Sequence, residues 1–117
     1  MAPLTAAVTA LDSGSAEPYT LVELAGEADV TSSGTLHALL AEETAKQPGL
    51  LIVEMSGLRF LDSSALQVIL RANLALVRDG GRLALVSPSD VVARVLHMTE
   101  ADRLIPVYAS VAEATAR

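Results

Sequence analysis

Asp62, Ser63 and Ser64 stand side by side ahead of the apolar-rich run Ala65-Leu66-Gln67-Val68-Ile69-Leu70. Each carries a short side-chain oxygen that can accept from the free amides of a helix's first turn. Ser64 with Gln67 also has the spacing of a capping box. One cap uses one side chain, so at least one hydroxyl is left to face solvent or a partner. A helix N-terminus carries partial positive charge and unpaired N–H groups, so a phosphate on Ser63 would be tolerated by its own helix. It would add about −1.5 to −2 charge to the surface, enough to repel an acidic partner or block a close contact. The spacing therefore describes a switch that need not unfold the protein.

Other candidates carry less. Glu27 and Asp29 could pair as carboxylates for acid/base work, but a polar loop at a strand end accounts for them more simply. His97 lies in an apolar helical pattern that suits a structural role, and His37 reads as exposed. Gly80-Gly81 is a turn and not a phosphate cradle, because no helix opens directly after it. No G-x-S-x-G elbow, H-E-x-x-H pair or P-loop is present. The chain has no cysteine, and its two histidines lack ligand spacing. Neither a metal nor a cofactor is expected, and the protein is not expected to be an enzyme.

The elements that must position these residues are readable from periodicity. Leu4, Ala6, Val8 and Ala10 alternate as a strand, followed by a turn at Asp12-Ser13-Gly14-Ser15. A second strand, Tyr19 to Leu24, ends at Gly26, and a loop from Glu27 to Thr31 leads to Ser32 and Ser33, either of which could cap a helix reaching Lys46. Leu50-Leu51-Ile52-Val53 is continuous and partly branched, as in a strand covered on both faces, and stops at Glu54. The long helix runs from about Ser64 to Arg78, with Gly80-Gly81 where a left-handed C-cap is wanted. Leu66, Ile69, Leu70, Asn73 and Val77 fall on its core side, and Ser64, Gln67, Arg71, Leu74 and Arg78 on the opposite stripe. There follow a strand at Arg82 to Val86, a helix opened by Ser87-Pro88-Ser89-Asp90, a short strand at Ile105 to Val107 and a helix capped by Ser110 with Glu113. Two strands followed by strand–helix alternation predict one α/β domain over residues 1–117, with a mixed sheet and helices packed mainly on one face.

Composition narrows the function. The 117 residues are 51% hydrophobic with 14 acidic and 8 basic side chains, which excludes a disordered chain. A net charge of −6 argues against direct nucleic-acid binding, which needs basic patches. No stretch approaches a membrane span, and the first residues lack the cationic start of a signal peptide, so a cytoplasmic location is expected. Charge is uneven. Residues 1–45 hold seven acids and no Lys or Arg, whereas the remainder is nearly balanced.

From Leu58 to Ala72 the sequence closely resembles the STAS domain family, and among its members the bacterial anti-sigma factor antagonists. Gly26-Glu27-Ala28-Asp29 is similar to the family's Gly-Glu-Leu-Asp loop, Gly80-Gly81-Arg82-Leu83 to its helix-to-strand turn, and Asp102 to Tyr108 to its C-terminal segment. The resemblance implies a partner-switching regulator of transcription. Unphosphorylated, such a protein binds an anti-sigma factor that is itself a serine kinase and frees the sigma factor. Phosphorylation releases it, and a PP2C-type serine phosphatase restores it. Carried over, the acceptor is Ser63, flanked by Asp62, Ser64 and Ala65. The loop of Glu27 and Asp29 would lie beside it as part of the partner surface, and the helix stripe of Gln67, Arg71, Leu74 and Arg78 read from periodicity is expected to continue that surface. Two places depart from the family: Ala65 stands where glycine is usual, and Glu100-Ala101 where Gly-Leu is usual. A non-phosphorylated STAS scaffold module of a sensor or stress complex is the second reading. A small hydrolase or nucleotide-binding protein using Ser63 with Glu27 or Asp29 is a distant third.

Overall fold

The computed structural model describes residues 2–11 and 17–116. The turn expected at Asp12-Ser13-Gly14-Ser15 lies outside the described residues. Among the described residues, five strands form one mixed sheet in chain order: β1 (Thr5–Leu11), β2 (Tyr19–Ala28), β3 (Leu50–Leu61), β4 (Arg82–Val86) and β5 (Val107–Tyr108). β1 runs antiparallel to β2, and each later neighbour pair is parallel. Parallel neighbours need long crossovers. Here α1 (Ser33–Ala45) and α2 (Ser63–Arg78) supply the first two, and α3 (Asp90–Met98) with α4 (Ala101–Leu104) the third. The short α5 (Val111–Thr115) ends the chain.

Hydrophobic alternation divides the sheet between two cores. Val22, Leu24, Leu51, Val53, Leu83 and Leu85 pack against Leu36, Leu40, Leu66, Ile69, Leu76, Val92 and Leu96 on the helix-rich face. Leu50, Ile52, Ala84 and Val86 face the other way, under Ala114 with Tyr19, Leu21, Tyr108 and Val111 at the rim. Leu50 to Val53 is thus covered on both sides, as its unbroken apolar run required. Each fully buried leucine or isoleucine contributes about 1.5–3 kcal/mol of transfer free energy. The expected architecture, a mixed sheet with helices mainly on one face, is the observed one.

Boundaries moved where the ladder is irregular. β3 continues through Glu54 to Leu61, because two bulges each insert one β3 residue opposite β2. Its buried positions there become Met55, Leu58 and Leu61, three apart, and a search for period two passes over them. β2 likewise runs past Gly26 to Ala28, so Glu27 belongs to a strand and not to a loop. The last strand is Val107–Tyr108, not Ile105 to Val107, since Ile105 is buried in the helix-side core.

The helices bring corrections of their own. Val77, expected on the core side of α2, is 57% exposed. α2 packs against α1 as well as the sheet, so its buried face turns to include Ala65, Val68 and Ala72. His97 is exposed and not structural, with its Nδ1 at 3.2 Å from Asp102 Oδ2. Past Arg78 the expected left-handed glycine is Gly80, at φ +85°. The N–H of Gly80 donates to Val77 O and that of Gly81 to Leu76 O, closing the last turn of α2.

Gly26 also has a positive φ, +91°, and a Cβ there would lie 2.1 Å from the Pro3 carbonyl oxygen. The N-terminal segment crosses β2 at this point, held by the Glu27 N–H to Ala2 O bond of 3.0 Å. Gly26→Ala is expected to destabilise the fold by about 1–3 kcal/mol, from left-handed strain and the backbone clash together. Chemical denaturation should show a lower midpoint with an unchanged slope.

Candidate functional site

Asp62 is where sheet becomes helix. Its N–H donates to Ala28 O at 3.0 Å, completing the β2–β3 ladder. Its carboxylate accepts from the Ala65 N–H at 3.1 Å, capping α2. Asp62 is therefore the cap, and the Ser64–Gln67 capping box is not formed: Ser64 already lies inside α2. Ser63, in the first position of the helix, is exposed. The hydroxyl that the cap does not consume is the one at the outer surface, beside amides that have no partner within the helix.

Ser63 borders an open groove of about 500 Å³ between the starts of α1 and α2. Ser64, Gln67 and Arg71 line it from α2, and Ser33, Gly34 and His37 from α1. Leu74 and Arg78 lie outside this groove, exposed farther along α2. Ala65 is fully buried, so its methyl packs inward and presents nothing to a partner. Glu100, at the other departure from the family pattern, sits at φ +61°, a conformation glycine adopts without strain.

Glu27 and Asp29 line a separate depression of about 360 Å³, with Ala2, Pro3, Leu4 and Thr31. The Ala28–Asp62 bond brings this acidic wall alongside the start of α2. A compact net of bonds shapes it. The Asp29 carboxylate accepts from the Thr31 hydroxyl and from the Thr31 N–H at 2.9 Å. Ser32 stands at the N-cap of α1 but makes no side-chain cap bond; its Oγ instead accepts from the Asp29 N–H at 3.0 Å and donates to Glu27 O. The Thr31 hydroxyl, ahead of the backbone donors, holds the Asp29 carboxyl below its ordinary value of 3.8.

Two apolar residues belong to this end of the molecule and were not singled out by sequence. Val30 is 68% exposed in the β2–α1 connection, and Phe60, in register with Glu27, is 44% exposed. Only the bulges of β3 reveal that Phe60 points outward. His37 is exposed, as expected, and its place on the Ser63 groove follows only from the packing of α1 beside α2. Among the described residues, no three His, Asp or Glu side chains are grouped to hold a metal ion, and no helix is long and apolar enough to cross a membrane.

Residues 8–114 match the STAS domain family. The chain belongs to that family. Over 60 residues it is 38% identical to a Thermotoga maritima protein named for an inferred anti-sigma factor antagonist role, an alignment covering 51% of this chain and 53% of that protein. The aligned part thus spans about half the length of this curated relative. An anti-sigma factor antagonist from Mycobacterium paratuberculosis has the same fold, with TM-score 0.83, 23% identity and coverage of 96% of this chain and 91% of the other. The antagonist SpoIIAA in its unphosphorylated form superposes at TM-score 0.72, with 22% identity over 92% of both chains. SpoIIAA from Bacillus has also been solved in a phosphorylated form, which superposes at 0.65 with 22% identity over 92% of this chain and 96% of that one. At these identities the structures establish the STAS fold of this chain.

Asp62→Ala is expected to cost about 1 kcal/mol of stability through loss of the cap, whereas Ser64→Ala should be nearly neutral, read by thermal denaturation. Asp29 should titrate below 3.8 by carboxyl NMR, and Thr31→Val should move its midpoint upward. Because the folded-state value is depressed, this carboxylate's contribution to stability is present above about pH 3.8 and lost as pH falls through the lower folded value.

Proposed function

We propose that the chain is an anti-sigma factor antagonist, a binding regulator whose partner choice is switched by phosphorylation of Ser63. The observation that carries this reading is the division of labour at the start of α2. Asp62 takes the cap and leaves the Ser63 hydroxyl exposed. A phosphoryl group on that oxygen would lie against the first-turn amides of α2, where charge and donors both favour it. The domain therefore keeps its fold in either state, and the change is confined to its surface.

In the unphosphorylated state the anti-sigma kinase would dock over Ser63, with Glu27 and Asp29 on one side and Gln67, Arg71, Leu74 and Arg78 along α2. The kinase transfers the γ-phosphoryl group of ATP to Ser63 Oγ, and ADP leaves. The product carries about two further negative charges beside an already acidic wall, which breaks the complex and leaves the anti-sigma factor free for its sigma factor. A PP2C-type phosphatase would hydrolyse the ester and reset the cycle. All of these partners are cytoplasmic in this reading. The family match and the relatives named as antagonists support it.

With the anti-sigma kinase captured from the source cells and ATP, the wild type should gain one phosphoryl group by intact mass, and Ser63→Ala none. Ser63→Ala should still bind that kinase, while Ser63→Asp should bind about 100-fold more weakly, as placing like charges together costs about 3 kcal/mol. Equal binding by both variants with no mass increase would replace the switch with a constitutive scaffold.

A further inference from the structure

The face of the sheet away from α1, α2 and α3 is only partly covered. α5 packs over β3, β4 and β5, whereas all seven side chains of β1 are exposed. Among the described residues β1 is also an end strand, paired with β2 alone. Alternate N–H and C=O groups along it therefore point away from the sheet, and an edge of this kind can accept another strand. Thr5–Leu11 carries none of the usual protection: no charge, no proline and no bulge in its register with β2.

Charge lies one strand farther in. Glu23 and Glu54 are in-register neighbours on β2 and β3, on the open face. Like charges placed directly opposite each other weaken a sheet. Glu54 accepts from the Ser56 N–H and hydroxyl at 3.2 and 3.0 Å, and Glu23 is exposed. Both line a depression of about 330 Å³ that also reaches Thr5 and Ala7 on β1. Ala7 is the direct cross-strand neighbour of Glu23. Because Ala7 is small, a long side chain from a strand outside β1 can pass over it to the carboxylates. A second copy of the chain is the wrong occupant. It would bring the same two carboxylates, and residues 1–45 offer no Lys or Arg to meet them.

We propose that β1 is a docking edge for an extended basic segment of a partner protein, which adds a sixth strand and lays a Lys or Arg across Ala7 onto Glu23 and Glu54. α2 packs on the opposite face, so this surface stands or falls independently of the Ser63 switch.

The test is NMR titration of the whole isotope-labelled chain with the peptide acetyl-(Lys-Val)4-amide, and with acetyl-(Glu-Val)4-amide as its charge-reversed control. The lysine peptide should shift and protect alternate amides of β1, more weakly as salt rises. Glu23→Gln with Glu54→Gln should weaken binding about fivefold. Ala7→Lys, which places a cation beside the carboxylates in cis, should weaken it similarly without lowering the melting temperature, and Ser63→Asp should change nothing. The proposal is overturned if β1 does not respond by about 5 mM peptide, a Kd range worth only about 3 kcal/mol. Equal binding of the two peptides would overturn it too. So would β1 protection that grows with the protein's own concentration, which would mark a second copy as the occupant.

Discussion

The structure of the site depends on how the β2–β3 ladder ends. A parallel strand pair must finish with its last backbone groups satisfied, and a helix must begin with its first amides satisfied. Asp62 meets both requirements at once, its N–H on Ala28 O and its carboxylate on the Ala65 N–H. That one residue joins the acidic connection after β2 to the start of α2. It also fixes which hydroxyl is spare. Were the cap made by Ser63 instead, its hydroxyl would be engaged by the helix, so the identity of the cap and the freedom of the Ser63 hydroxyl go together.

Electrostatics follows from that placement. The N-terminal end of α2 favours anions, yet Glu27 and Asp29 stand nearby in their own depression. The two do not compete, because Asp29 is held by Thr31 and Ser32 within its loop and does not reach for the helix. The result is a surface with two registers of charge: acids fixed by local bonds, and a helix terminus still able to take one more anion. In the switch proposed for Ser63, a partner reading both would meet a different surface after a single covalent change. Val30 and Phe60, exposed at the same end, supply apolar area that a phosphate does not alter.

The sheet is covered unequally, and this asymmetry separates the two surfaces of the molecule. Four helices occupy one face, while α5 shields only part of the other. β1 lies beyond that shield, at the end of the sheet beside β2. Its small side chains leave backbone and neighbouring carboxylates accessible together. The helix-side surface around Ser63 and the open edge at β1 are thus supported by opposite faces of the same β2–β3 pair.

Much of this was determined by the sequence alone. The unbroken run Leu50 to Val53 required burial on both sides, the strand–helix alternation required parallel crossovers, and three short polar residues at the start of α2 required one cap and a surplus hydroxyl. Gly80 after Arg78 marked the helix end for a local steric reason. What the tertiary structure decided depends on neighbours distant in sequence. Asp62 became the cap because its own N–H was already drawn to Ala28 across the ladder. The bulges of β3 stretched its buried spacing to three and turned Phe60 outward, since they arise from pairing with β2 and not from β3's own pattern. Packing against α1 rotated the buried face of α2 and left Val77 in solvent. Local patterns record which surfaces must be buried. Only the assembled sheet and helices decide what buries them, and so what remains exposed to bind.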